Sequence, residues 1–165
     1  MKRTTYRQLS FSVLFLTAFL FLPNGVNAAW FTIHGNNGKV EYMSLVDNTE
    51  IYKGWGLHID QSPGMYNWIH FTFPTTLQNT VRYIAFQLQT GSADAWVDEV
   101  HVYNGNTKIK TFSDLNWSGE NNIYLLDLGS QMAVGLGFGI SVKIAAGVET
   151  MSHNFRFHTL GADLY

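Results

Sequence analysis

The stretch 81–112, VRYIAFQLQTGSADAWVDEVHVYNGNTKIKTF, constrains the fold more than any other part of the chain. Near its start, Ile84, Phe86 and Leu88 alternate with polar or small residues. Successive side chains of a β-strand point to opposite faces, so this alternation predicts a strand with one buried face. The same period of two residues returns over 96–103.

Two turns divide this stretch. The segment 91–94, GSAD, has the composition of a loop. Asn104 and Gly105 both tolerate positive φ, which a tight hairpin connection requires, and β-forming residues flank them on both sides. The stretch therefore predicts an antiparallel meander of three neighbouring strands, with one apolar face and one polar face.

The chain from residue 29 onwards repeats this pattern. Short alternating runs recur between turn residues at intervals of roughly 8–12 residues, and no helical period is present. The most regular run is Val134–Ile144, in which glycines alternate with apolar residues. We count about nine or ten strands, the number typical of a sandwich. The sequence predicts an all-β fold, a single antiparallel β-sandwich of jelly-roll type.

Residues 1–28 have the features of a secretory signal peptide. A basic start precedes the apolar run Phe11–Leu22, and 26–28, VNA, matches the small-residue pattern of a cleavage site. The run is shorter than the about 20 residues that a membrane-spanning helix needs. We expect cleavage after Ala28, export to the periplasm or the extracellular space, a single domain at 29–165, and no transmembrane helix in the mature chain.

Charge and cysteine content restrict the partners. Removal of residues 1–28 takes away three positive charges and no negative ones, so the net charge falls from −2 to −5. An acidic balance argues against nucleic acid as a partner. The chain has no cysteine, so its core must hold the fold without disulfides. Aromatic residues make up 15% and charged residues 13% of the chain, which favours either an aromatic-rich binding surface or contact with lipid.

The polar face of the predicted central sheet is the candidate binding site. If the strands at 66–72, 81–89 and 97–103 are neighbours, this face combines aromatic rings, amides and a carboxylate. Such a combination suits a sugar, whose C–H faces stack on aromatic rings and whose hydroxyls need donors and acceptors. An ordinary solvated sheet face is the alternative. The candidate ligand-binding residues are Trp68, His70, Tyr83, Gln87, Gln89, Glu99, His101 and Tyr103.

Other chemistries have less support in the sequence. The carboxylates Asp60, Asp94, Asp98 and Glu99 lie near strand ends and are candidates to hold a calcium ion, although no defined calcium loop is present. The histidines lack the spacing of a metal motif, and no serine sits in a nucleophile elbow. We therefore predict no cofactor, no metal ligand and no catalytic residue.

Four segments resemble a family of small, uncharacterised β-sandwich proteins that is classed as a domain of unknown function. They are FQLQTGSADAWVDEVHVYNGNTKI, DLNWSG, GLGFGISVKI and the terminal FHTLGADLY. The resemblance covers the chain from about Trp30 to the end. It implies the sandwich fold, and it assigns no catalytic or ligand-binding residue.

The function that these observations favour is an exported, non-enzymatic binding module with polysaccharide or glycan as its ligand. A small outer-membrane β-barrel is a second hypothesis, because the leader, the low charge and the aromatic content permit it. A self-associating extracellular structural subunit is a third, since exposed strand edges can pair between copies.

Overall fold

The computed structural model describes residues 29–77, 79–149 and 151–165. The predicted signal peptide, 1–28, lies outside the described residues. Among the described residues, no helix has the length and apolar character needed to cross a membrane. Two short 3-10 turns, Gly35–Asn37 and Met43–Leu45, accompany the strands.

The described residues form eleven strands. They are β1 Ala29–His34, β2 Lys39–Val40, β3 Tyr52–Lys53, β4 Gly56–Asp60, β5 Tyr66–Phe73, β6 Thr80–Thr90, β7 Ala95–Asn104, β8 Thr107–Phe112, β9 Asn122–Ala133, β10 Phe138–Ala146 and β11 Asn154–Leu164. Every pairing between them is antiparallel.

The strands divide into two separate sheets and do not close into one. Sheet A has the order β3-β4-β11-β6-β9, with β1 also paired to β11, and sheet B has the order β2-β5-β10-β7-β8. The last eight strands place β4-β11-β6-β9 in one sheet and β5-β10-β7-β8 in the other, which is the strand order of a jelly roll. The predicted all-β sandwich of jelly-roll type is confirmed.

The core lies between the sheets. The alternation along β6 puts Ile84, Phe86 and Leu88 inside, where they are fully buried. From opposite sheets, Phe71 and Phe157 meet with their ring centroids 5.6 Å apart. Burying a side chain of this size contributes roughly 1.5–3 kcal/mol of stability. Without a disulfide, this packing is the main force that holds the two sheets together.

The predicted meander is correct for its second turn and wrong for its first. β7 and β8 form the expected hairpin, with Gly105 at φ +59°. The segment 91–94 instead carries the chain from sheet A to sheet B. At its start the Gly91 amide donates to Asn154 of β11, and at its end the Asp94 carbonyl accepts from Gly147 beyond β10. Alternation shows which face of a strand is buried, but it does not identify the neighbouring strand.

The glycine-rich strand also begins later than predicted. Residues 134–137 form a turn in which the Gly137 amide donates to the Val134 carbonyl. Gly137 has φ +119°, and Leu136 is exposed. β10 therefore begins at Phe138. The positive φ of Gly137 interrupts the extended backbone, although glycines and apolar residues continue to alternate in the sequence.

Candidate functional site

The eight predicted binding residues lie on opposite sides of the sandwich. We call the outer surface of sheet A face A, and the outer surface of sheet B face B. Face B carries five of the residues, Trp68, His70, Glu99, His101 and Tyr103, and face A carries Tyr83, Gln87 and Gln89. The expectation that their three strands are neighbours is wrong for β6, because β6 belongs to the other sheet.

On face B, the histidine of β5 is held by two side chains. His70 Nδ1 is 2.8 Å from Ser141 Oγ on β10, and His70 Nε2 is 3.0 Å from Glu41 Oε2. Ser141 stands directly between His70 and His101, because β10 pairs with β5 on one side and with β7 on the other. The polar atoms of the His70 ring are therefore occupied by the protein itself.

A lysine organises the neighbouring part of face B. Lys143 Nζ lies 2.8 Å from Asp98 Oδ2 and 3.0 Å from Glu99 Oε1, and the other carboxylate oxygen of Glu99 is 3.0 Å from His101 Nε2. The hydrogen bond from Lys143 lowers the pKa of the Glu99 carboxyl. Hydrogen bonds to Asp98 and then Glu99 raise the pKa of the Lys143 ammonium. The ammonium of Lys143 and the carboxylates of Asp98 and Glu99 are thus paired with one another.

The aromatic rings of face B also pack against one another. The rings of Trp68 and His101 have centroids 4.6 Å apart at an angle of 39°, and the Tyr103 ring meets that of His101 edge-on at 6.3 Å. A ring that already packs on a neighbour offers a ligand less free surface than an isolated exposed ring does. Face B consequently resembles a stabilised sheet surface more than an open platform.

Face A contains a groove of about 190 Å³. Four adjacent strands build it, because β11 pairs with β1 and β6, and β6 pairs with β9. None of the lining side chains carries a charge. The lining residues are Trp30, Thr32, Ala85, Gln87, Ile123, Thr159 and Gly161.

The groove is shaped by an exposed tryptophan lying against a glycine. Trp30 is 53% exposed, and a Cβ added at Gly161 would lie only 3.2 Å from Cε3 of its indole. Because glycine has no side chain, the indole can approach the sheet surface closely. On the opposite side of the groove, Ile123 is 74% exposed. Apolar side chains this exposed on a sheet face are typical of a binding surface.

The groove also contains neutral hydrogen-bonding groups. Gln87 pairs with Thr159 of β11 and with Ile123 of β9, which places its amide at the centre of the four strands. Within the described residues, the Gln87 side chain makes no hydrogen bond. The groove therefore combines a flat apolar ring with an amide and the hydroxyls of Thr32 and Thr159, all of them neutral.

A second cavity, of about 280 Å³, lies beside face B between Tyr42, Leu45, Met65 and Tyr66. Its only side-chain polar groups are the two phenols, and the Tyr42 hydroxyl hydrogen bonds to Glu41, which lowers the pKa of the Glu41 carboxyl and raises that of Tyr42. The lining supplies no amide.

The carboxylates considered for calcium do not form one cluster, and each is engaged by a neighbouring side chain. Asp60 is 3.2 Å from His58, Asp94 is 2.9 Å from His153, and Asp98 and Glu99 hold Lys143. Among the described residues, no three histidine or acidic side chains come together in a group that could hold a metal ion.

The sequence identified Gln87 but missed the residues that complete the groove. Trp30, Thr32, Thr159 and Gly161 come from the first and last strands, which pair side by side. Trp30 and Thr32 are two residues apart in β1, and this spacing is the sequence signal that places them on one face. No local pattern shows that β1 lies beside β11.

Comparison with known proteins gives a fold and no family. No protein-family model and no curated protein matches the chain, whereas many solved structures do. One is the low-affinity xylan-binding module CBM86 from the gut symbiont Roseburia intestinalis, 16% identical, with a TM-score of 0.53 over 83% of this chain and 96% of that one.

Two further solved structures have lower scores. They are a family 35 carbohydrate-binding module from Clostridium thermocellum, 11% identical with a TM-score of 0.46 over 81% of this chain and 98% of that chain, and CBM35 from Paenibacillus barcinonensis, 11% identical with a TM-score of 0.44 over 80% and 97%. The similarity to CBM86 shows that the chain has the β-sandwich fold of a carbohydrate-binding module. This is also the fold that the resemblance in the sequence implied.

Proposed function

We propose that this chain is a non-enzymatic carbohydrate-binding module, and that a polysaccharide binds in the groove on face A. The observation that carries the proposal is the exposed indole of Trp30, held against Gly161 beside the Gln87 amide, which has no partner among the described residues. The fold shared with a xylan-binding module supports it.

The chemistry of the groove suits a sugar ring. The apolar C–H face of a sugar stacks on an aromatic face, and each hydroxyl that leaves water needs a replacement partner. Trp30 supplies the aromatic face. The side chains of Gln87, Thr32 and Thr159 supply hydrogen-bonding partners for the hydroxyls. A neutral groove also suits a neutral sugar, because no buried charge is left without a partner.

The other predicted site residues divide between two roles. Tyr83 and Gln89 stand beside Gln87 on the outward side of β6, where a chain longer than one sugar would extend. For the five residues on face B we propose a structural role. The rings of Trp68, His101 and Tyr103 pack together, and the polar atoms of His70, Glu99 and His101 already have protein partners.

The experiment compares one tryptophan from each face. Affinity electrophoresis and titration calorimetry with soluble xylan, mannan and mixed-linkage glucan measure binding by the wild type, Trp30→Ala and Trp68→Ala. We expect the wild type to bind at least one polysaccharide, Trp30→Ala to lose about tenfold or more in affinity, and Trp68→Ala to keep most of it. Thermal unfolding checks that both variants fold.

Two results would overturn the proposal. Absence of wild-type binding to every polysaccharide at millimolar sugar concentration would reject carbohydrate as the ligand. Loss of binding in Trp68→Ala, with binding kept in Trp30→Ala, would move the site to face B.

We further propose that the protein is exported and that residues 1–28 are removed. The basic start, the apolar run and the cleavage pattern support this. Expression of the full chain in a secreting bacterium, followed by amino-terminal sequencing of the exported product, should give a chain that begins at Ala29. A product that stays in the cytoplasm with Met1 intact would contradict it.

A further inference from the structure

Next to the groove, three nitrogen-bearing side chains surround one indole. The ring of Trp55 lies 5.7 Å from that of His58 and 5.3 Å from that of His158, centroid to centroid, and Arg156 Cζ is 5.8 Å from the indole centroid. We call these four residues the basic corner. Trp55 is 42% exposed, so the corner opens to solvent.

The strand register places the basic corner beside the groove on the same face. Arg156 pairs with His58 of β4 on one side and with Gln89 of β6 on the other. Gln87, which lines the groove, is two residues away from Gln89 on β6. Two residues of a strand span about 7 Å, so a single extended ligand can contact both sites.

Among the described residues, the guanidinium of the basic corner has no acidic partner. Arg82 pairs with Asp127, and Lys143 pairs with two carboxylates. In the part of the chain that the structure describes, Arg156 forms no ion pair. A guanidinium with no acidic partner in the described residues stands out in a chain whose net charge is −5 once residues 1–28 are removed.

Several nitrogen atoms of the basic corner are buried without a hydrogen bond. They are Nε of Arg156, Nε2 of His58 and Nε2 of His158. His58 Nε2 lies 3.2 Å from Asp60 Oδ1, but the geometry does not make a hydrogen bond. Most buried polar groups in native proteins have a partner, and leaving one unsatisfied costs about 1–3 kcal/mol. The terminal Nη atoms of Arg156 are not among these buried atoms and make no hydrogen bond within the described residues, so they are the groups of the corner that an outside acceptor can reach.

We infer that the basic corner binds the carboxylate of an acidic sugar, on a polysaccharide whose neutral part occupies the groove. The inference rests on the proposed function and names its ligand class. The planar guanidinium of Arg156 matches a carboxylate with two parallel hydrogen bonds, and the exposed part of the Trp55 indole offers apolar surface to the sugar. The rings of His58 and His158 pack against the same indole and hold it beside the guanidinium.

The charge of the whole chain restricts how acidic the ligand can be. The net charge of −5 that remains after removal of residues 1–28 repels a dense polyanion, and Asp60 places a negative charge close to His58. The corner therefore suits a polysaccharide with carboxylates on some of its sugars, separated by neutral units. A single carboxylate on the bound stretch of polysaccharide would match the single guanidinium of the basic corner.

The test compares acidic polysaccharides with their neutral counterparts. The probes are a xylan with glucuronic acid side groups, a partially methyl-esterified pectin, and each of these after reduction of its carboxylates to alcohols. We expect the wild type to prefer the acidic form of the polysaccharide that it binds by about five- to tenfold at low salt, and we expect the preference to shrink as salt rises.

The key variant is Arg156→Gln, and Arg82→Gln is its matched control. Both remove one positive charge, but the guanidinium of Arg82 is already paired with Asp127. We expect Arg156→Gln to bind the acidic and reduced forms equally, with unchanged affinity for the reduced form. Arg82→Gln should keep the preference for the acidic form. Thermal unfolding of both variants, and the unchanged binding of the reduced form, show that the fold is intact.

The outcomes separate this inference from the proposed function. If the wild type bound the acidic and reduced forms equally, the basic corner would not be a carboxylate site. The proposal that a polysaccharide binds in the groove would be unaffected. A preference that survives in Arg156→Gln would likewise show that the basic corner is not a carboxylate site. Failure of the wild type to bind any form would overturn both. If Arg156→Gln does not fold, Arg156→Lys takes its place. We expect a reduced preference for the acidic form, because the ammonium of lysine lacks the two parallel N–H donors of the guanidinium.

Discussion

The indole of Trp30 rests on the backbone of Gly161, so that a Cβ at Gly161 would lie 3.2 Å from Cε3 and 3.5 Å from Cζ3 of the ring. The two residues belong to β1 and β11, which pair along the whole length of β1. Because Gly161 has no side chain, the indole of Trp30 can lie close to the surface of the sheet. This relationship gives the first prediction.

Gly161→Val should weaken polysaccharide binding about tenfold, because a branched side chain lifts the indole out of the groove. The effect on stability should be small, since the indole is largely exposed. Calorimetric titration measures the affinity and chemical denaturation measures the stability. Gly139→Ala is the control, because a Cβ there meets only Tyr103 at 3.7 Å, an ordinary contact. Unchanged affinity in Gly161→Val would remove Trp30 from the site.

Gln87→Leu should lower the affinity about fivefold, because a neutral hydrogen bond to the ligand contributes about 1 kcal/mol. The substitution keeps the size of the side chain and removes only its polar atoms. Gln131→Leu, exposed on β9 and not part of the groove lining, should bind like the wild type. Equal loss in both variants would show a general surface effect and would contradict a specific role for Gln87.

The Phe71–Phe157 contact across the sandwich should be measurable as a coupling energy. Each single Phe→Leu substitution should lower the free energy of unfolding, and the double variant should lose less than the two losses together by about 1 kcal/mol. Urea denaturation of the four proteins gives the value. Strict additivity would mean that the two buried rings contribute independently.

Gly105→Ala should cost about 1–2 kcal/mol of the free energy of unfolding. Gly105 has φ +59°, where a side chain is strained, and an added Cβ would also lie 3.3 Å from Cβ of Leu136. Denaturant titration provides the measurement. Gly54→Ala is a suitable comparison, because a Cβ there meets nothing within 4 Å, and it should leave stability nearly unchanged.

The Glu99–Lys143 pair should make stability depend on pH in the acid range. The hydrogen bond from Lys143 lowers the pKa of Glu99 in the folded protein, whereas the unfolded chain has the ordinary value of about 4.3. The unfolded chain therefore binds the proton first as pH falls, so the contribution of Glu99 is complete above about pH 5 and is lost as pH falls through the folded pKa.

The stability advantage of the wild type over Glu99→Gln should accordingly be constant near neutral pH and shrink below about pH 4. Urea denaturation at a series of pH values measures it. Glu120→Gln, an exposed residue with no ion pair among the described residues, should show no such trend. A constant advantage of Glu99 down to the lowest pH would contradict the assignment.

The sequence predicted those features that depend on neighbouring residues. Alternation identified the inward side of β6, and Asn104 with Gly105 identified the β7–β8 hairpin. Both are local, because side-chain direction and turn geometry follow from a few consecutive residues. The sandwich class follows from many such strands and the absence of a helical period.

The assignment of strands to sheets could not be predicted in the same way. β6 and β7 have the same alternation, yet the segment 91–94 separates them into different sheets. As a result Tyr83 and Tyr103, expected on one face, lie on opposite sides of the molecule. The groove depends on the pairing of β1 with β11, whose residues come from distant parts of the chain. Gln87 was found because it is polar and outward, but its partners Trp30 and Gly161 were not.

β11 pairs with β1, β4 and β6, so it forms the centre of sheet A although it follows all of these strands in the chain. During synthesis, every strand that β11 joins leaves the ribosome before β11 does. Sheet A therefore cannot be completed until β11 has been made, and the strand edges that β11 joins stay unpaired until then. Because such long-range pairing is slow to form, we expect the docking of β11 to limit the rate at which sheet A assembles.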